Sequence, residues 1–178
     1  MEKNLYNEFI NFFKTKGLYN EITFDYLRNN GEIIDYLDEE RRPEIRCYCI
    51  IKNKILTGVW VCVPLIKDYQ TLLINIYIYT HAIQLCKQIG RKYDPKNDTR
   101  TLPMLYERIY LQENPNSELE EYINTLDNYT KKHGPKEDQT SLGIQDKLLE
   151  YYNSKNPSFE KLHKKARKLS KKYQKSNR

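Results

Sequence analysis

The chain of 178 residues is 39% hydrophobic and 30% charged, the balance of an ordinary globular protein long enough to bury a core. It has no run of about 18 apolar residues, so no transmembrane helix is expected. Met1-Glu2-Lys3-Asn4 lacks the basic stretch and apolar core of a signal peptide, and a cytoplasmic protein is expected. The net charge of +6 is concentrated at one end: Pro157 to Arg178 carries nine Lys or Arg against Glu160 alone, a balance of +8, and the 156 residues before it sum to −2. A basic pI therefore does not make the whole body a nucleic-acid binder.

In chain order, residues from about Lys3 to Lys16 read as an amphipathic helix. Leu5, Phe9, Phe12 and Phe13 lie on one side and Gly17 ends it. A second helical pattern starts at Thr23, a plausible N-cap, and runs through Tyr26, Leu27, Ile33, Ile34 and Leu37. Gly31 weakens it, and a break in two at that point stays open. Arg41-Arg42-Pro43 closes the region.

Two strands follow, Arg46 to Ile51 and Leu56 to Val63, rich in β-branched, aromatic and cysteine residues, with Lys52-Asn53-Lys54 between them as a hairpin turn. Cys47 and Cys49 would share one face of the first strand. Their C-x-C spacing has no second pair downstream, so Cys47, Cys49, Cys62 and Cys86 read as free, buried, reduced thiols and not as a zinc site. Pro64 ends the second strand, and Asp68 caps a helix from about Tyr69 to Ile89 that is apolar nearly all round, as a central buried helix should be. Gly90 stops it. After a polar loop, Thr101 and Pro103 open a helix through Leu111, and Pro115-Asn116-Ser117 opens another through Tyr129. His133 to Asp138 reads as a linker. Two last helices are expected, about Ser141 to Tyr152 and Ser158 to Lys175. No internal repeat is present.

Within the apolar helix, His81 follows Tyr77 by one turn on the same face. The order of elements is helix, hairpin, apolar helix bearing His81, loop, and helix bearing Glu107. It resembles the core of the zincin metallopeptidases of the gluzincin type. Tyr77-Ile78-Tyr79-Thr80-His81-Ala82 aligns with their H-E-x-x-H, and Leu102-Pro103-Met104-Leu105-Tyr106-Glu107 with the helix that supplies their third zinc ligand. The stretch covered is about residues 45 to 112. Against that pattern His81 and Glu107 supply two ligands where catalytic zinc keeps three and an open position. The Tyr77 phenol, with a pKa near ~10, is a poor third. Ile78 stands where the family has its general base and cannot accept a proton from metal-bound water. The resemblance thus implies a pseudo-metallopeptidase whose former cleft is filled by Tyr77 and Ile78. The plainer reading makes His81 a structural residue hydrogen-bonded to Glu107. The remaining alternative is a divergent metal-dependent hydrolase using those two residues. Only there is a cofactor expected, and it would be zinc.

Other chemistry has little footing. There is no G-x-S-x-G, no papain-like cysteine context, no G-x-x-x-x-G-K-[ST] and no G-x-G-x-x-G. Glu39-Glu40 and Glu120-Glu121 lie in solvated stretches, and neighbours on a helix point apart.

At the C-terminus Phe159, Leu162, Ala166, Leu169 and Tyr173 recur at spacings of three and four. Lys161, Lys164, Lys165, Lys168, Lys171, Lys172 and Lys175 fill much of the remainder. One reading docks the stripe on the body and leaves the lysines in water. The other has the basic helix meet an acidic partner, nucleic acid or an anionic membrane surface. The expected protein is a mostly helical α+β fold, a small hairpin packed on a central buried helix with a helical C-terminal extension. Residues 1–132 form its zincin-like core, 133–140 a linker, and 141–178 the C-terminal helices with the basic tail. The expected function is that of a non-catalytic interaction protein. A protein partner is expected first, and nucleic acid is the alternative through residues 157–178. Contact regions are the lysines from Lys161 to Lys172 and the tyrosines Tyr77, Tyr79, Tyr106 and Tyr110, of which Tyr79 and Tyr110 are expected in the core.

Overall fold

The apolar runs on either side of Asn53-Lys54 pair as a hairpin. In the computed structural model, which describes residues 4–34, 47–97 and 99–177, they form β2 (Cys47–Lys52) and β3 (Ile55–Pro64). Asn53 and Lys54 both take positive φ, 51° and 66°, the backbone a two-residue turn needs to follow strand twist. The strands are antiparallel, with a register shift between Ile50 and Ile51. The fold is α+β and mostly helical, and it divides into two compact units, Met1–Asp98 and Thr99–Arg178.

The first unit starts with α1 (Leu5–Thr15), capped by the Asn4 side chain, with Phe9, Phe12 and Phe13 buried. Helix α2 (Glu21–Asn30) is shorter than the sequence pattern suggests and is capped by Asn20, whose side chain accepts from the Thr23 amide. From Gly31 the chain becomes strand β1 (Gly31–Ile34), parallel to β3 from Val61 to Pro64. The expected helical continuation through Ile33 and Ile34 is therefore a strand. A Cβ at Gly31 would lie 2.9 Å from the Leu27 carbonyl and 3.1 Å from that of Val61. Glycine alone lets the backbone leave the helix and enter the sheet there. Leu37 and Arg41-Arg42-Pro43 lie outside the described residues. The sheet order is β1-β3-β2, with β3 central.

Helix α3 (Tyr69–Cys86) packs on this sheet. Its capping box is complete: the Thr71 amide donates to Asp68 Oδ1 at 2.8 Å and the Asp68 amide donates to Thr71 Oγ1 at 3.1 Å. Asn75 Nδ2 donates to the Pro64 carbonyl at 3.0 Å, tying the helix to the end of β3. Leu72, Leu73, Ile76, Ile78 and Ala82 are wholly buried. The helix ends at Cys86, before the expected Ile89, because the next residues turn back. Gly90 takes φ +80° and donates to the Leu56 carbonyl, and the Leu56 amide donates to Arg91.

The second unit is all helical: α4 (Thr101–Glu113), α5 (Ser117–His133), α6 (Lys136–Gly143), α7 (Gln145–Lys155) and α8 (Phe159–Ser176). Two expectations are corrected here. Residues 133–140 are no linker, since α5 reaches His133 and α6 begins at Lys136 after a Gly134-Pro135 break. The boundary between units falls at 98/99, not at 133–140. Helix α6 escapes an apolar-pattern reading because its buried side is polar. Thr140 and Ser141 are buried, and Ser141 Oγ shares a 2.8 Å hydrogen bond with Thr101 Oγ1. Gln145 Nε2 donates to the Thr101 and Ser141 carbonyls, both at 3.0 Å. Helix α4 packs against α6, α7 and α8. Arg108 pairs with Asp127 of α5 at 2.6 Å, and Gln112 and Asn153 exchange two 2.9 Å hydrogen bonds between α4 and α7. No described helix is long and apolar enough to cross a membrane.

Candidate functional site

Helix α3 places Tyr77, Ile78 and His81 in unlike surroundings. Ile78 is wholly buried, whereas Tyr77 and His81, one turn apart, are half-buried. The Cys47 thiol donates to the Ile78 carbonyl at 3.7 Å, so the turn bearing Ile78 faces β2. Glu107 is buried on α4, in the second unit, while His81 belongs to the first. Among the described residues no three His, Cys, Asp or Glu side chains gather as a metal ion would require.

The tyrosine-lined contact region is mostly core. Tyr79 packs edge-on to Phe9 at 5.0 Å and stacks on Phe24 at 5.2 Å. That burial pushes its phenol up to about 12. Tyr110 is also buried, as expected for both residues. Tyr106 joins them, its ring 6.0 Å from that of Phe159, and burial raises its phenol further. Of the four tyrosines only Tyr77 is half-buried and the other three are buried.

All four cysteines are free thiols, with Cys62 buried and Cys47, Cys49 and Cys86 half-buried. Burial pushes the Cys86 thiol up to about 11, the opposite of an activated nucleophile.

Helix α8 sorts its apolar side chains and its lysines onto different faces. Ser158 caps it, its Oγ accepting from the Lys161 amide at 3.4 Å. Phe159, Leu162 and Ala166 are buried and Leu169 and Tyr173 half-buried, so the apolar stripe docks on α4, α6 and α7. Gly143 leaves room for this docking: a Cβ there would lie 2.5 Å from the Tyr173 ring. Lys161, Lys164, Lys168, Lys171, Lys172 and Lys175 are all exposed. At 100° per residue they fall within an arc of about 100°, and at 1.5 Å per residue the row is about 21 Å long. Of the six expected partner-binding lysines, Lys165 alone departs, half-buried with Nζ 5.1 Å from the centroid of the Tyr151 ring. Lys175, one turn beyond Lys171 and Lys172, extends the row. The row is a sequence signal once the arc is drawn. That its opposite side is docked could only come from the fold.

In comparisons with known proteins, no family model, no curated protein and no solved structure matches the chain.

Proposed function

We propose that this is a non-catalytic binding protein that acts through the lysine face of α8 on an anionic macromolecule. The observation that carries the reading is the exposure of six lysines along one face of a helix whose other face is packed away. Such a face is a fixed electrostatic footprint: it attracts negative charge over a length of about 21 Å without rearrangement of the fold. The α3 residues support the non-catalytic part, because an aliphatic Ile78 where a proton acceptor would be needed leaves the zincin-like order of elements as scaffold only.

The test is retention on a polyanion matrix such as heparin. The expected result is that wild-type protein elutes at high salt, while Lys164→Glu/Lys168→Glu/Lys171→Glu elutes early with its thermal midpoint unchanged. Equal retention of the two would refute the reading, as would chelator-sensitive peptide cleavage abolished by His81→Ala.

A further inference from the structure

Resting on that reading, we propose that the α8 lysine row docks on the phosphate backbone of duplex nucleic acid without reading its sequence. Three observations select this partner. The first is the composition of the row: within the arc of Lys161, Lys164, Lys168, Lys171, Lys172 and Lys175 there is no arginine, asparagine, glutamine or aromatic residue. Base edges are read by bidentate Arg, Asn and Gln, and single strands are held by aromatic stacking. Ammonium groups act as point charges that suit phosphate oxygens.

The second is dimension. A duplex presents one negative charge per about 1.7 Å of axis, so a rigid row about 21 Å long meets a dense, regular array of phosphates over its whole length. The third is the docked stripe. A helix that binds a membrane surface inserts its apolar face, and here Phe159, Leu162 and Ala166 are buried against the body with Tyr173 beside Gly143. What α8 offers outward along that arc is charge alone. Charge is also segregated within the second unit: residues 157–178 carry +8 and residues 99–156 sum to −3, so the body repels a polyanion that the row attracts.

The full chain is titrated by fluorescence anisotropy into two 30-base-pair duplexes of unrelated sequence, the matching single strand, polyglutamate, and phosphatidylserine vesicles, at several salt concentrations. The expected result is equal affinity for the two duplexes and weaker binding to the other probes. The logarithm of the duplex association constant should fall with the logarithm of salt at a slope of about −5, the value for about six neutralised phosphates. Lys164→Gln/Lys168→Gln/Lys171→Gln should bring the slope to about −3, and Lys131→Gln/Lys132→Gln/Lys136→Gln, on α5 and α6, should change it by less than about one. Both variants are checked by circular dichroism melting. Equal losses in the two variants, a sequence-dependent affinity, or tighter binding to the single strand would overturn the assignment. Lysine-dependent binding to vesicles or polyglutamate with none to duplex overturns it and leaves the binding-protein reading standing. Absence of lysine-dependent binding to every probe overturns both.

Discussion

Helices α3 and α8 are each 18 residues long, and they are opposites. Helix α3 has no Asp, Glu, Lys or Arg and buries 13 of its residues. Helix α8 buries three and carries seven lysines. The difference shows where each part of the molecule has freedom to change. In α3 nearly every side chain is held by neighbours, so its few polar groups, such as Asn75 and Thr80, must bond to backbone. In α8 a narrow stripe holds the helix down and the remaining surface can be given over to charge.

The sharpest way to break this comparison is to charge the α3 core. Ile78→Glu introduces a carboxylate in a wholly buried position. It should destabilise the first unit by more than about 4 kcal/mol and unfold it in a denaturant melt. A stable, soluble Ile78→Glu protein would mean that a hydrated cleft lies beside α3. Removing the α8 anchor comes next. Leu162→Ala should cost about 2–5 kcal/mol by urea denaturation and loosen the helix that presents the lysines.

A pH effect separates the two kinds of environment. The Tyr79 phenol is raised to about 12 when folded, against about 10 when unfolded. As pH rises above 10 the unfolded chain loses this proton first, so stability is full below 10 and falls until about 12. The loss is about 2–3 kcal/mol. Tyr79→Phe should remove that share of the alkaline slope, read from urea midpoints at pH 9 and 11.5. A smaller effect is expected from Gly143→Ala, whose methyl must push the Tyr173 ring aside. The cost should be about 1 kcal/mol, with a change in Tyr173 fluorescence or ring resonances. Smallest of all is substitution of the exposed lysines by Gln, within about 0.5 kcal/mol of wild type in stability while polyanion binding is lost.

How much was legible in the sequence varies along the chain. The hairpin was, because Asn53-Lys54 sits between two β-branched runs. The buried character of α3 was too, because an uncharged stretch of that length has few other places to go. Strand β1 was not. Ile33 and Ile34 fit a helical spacing as well as an extended one, and the choice rests on β3 lying alongside to accept their hydrogen bonds. Helix α6 was hidden by its polar composition, since hydrogen bonds among Thr101, Ser141 and Gln145 do the work that apolar side chains do elsewhere. Of the candidate site, the lysine row could be read directly, because helical spacing alone sets its arc. The burial of the Glu107 side chain on α4 could not, because a carboxylate in a helical stretch is expected at the surface unless the fold covers it.

From residue types alone one learns the local matters: which helix has no charge, which has one apolar stripe, where the turn falls. Backbone propensity and side-chain period depend only on near neighbours. The burial of Tyr106, the strand at Gly31 and the outward aim of six lysines were decided by tertiary packing. Each depends on which distant surface removes a side from water, and that is a property of the assembled fold.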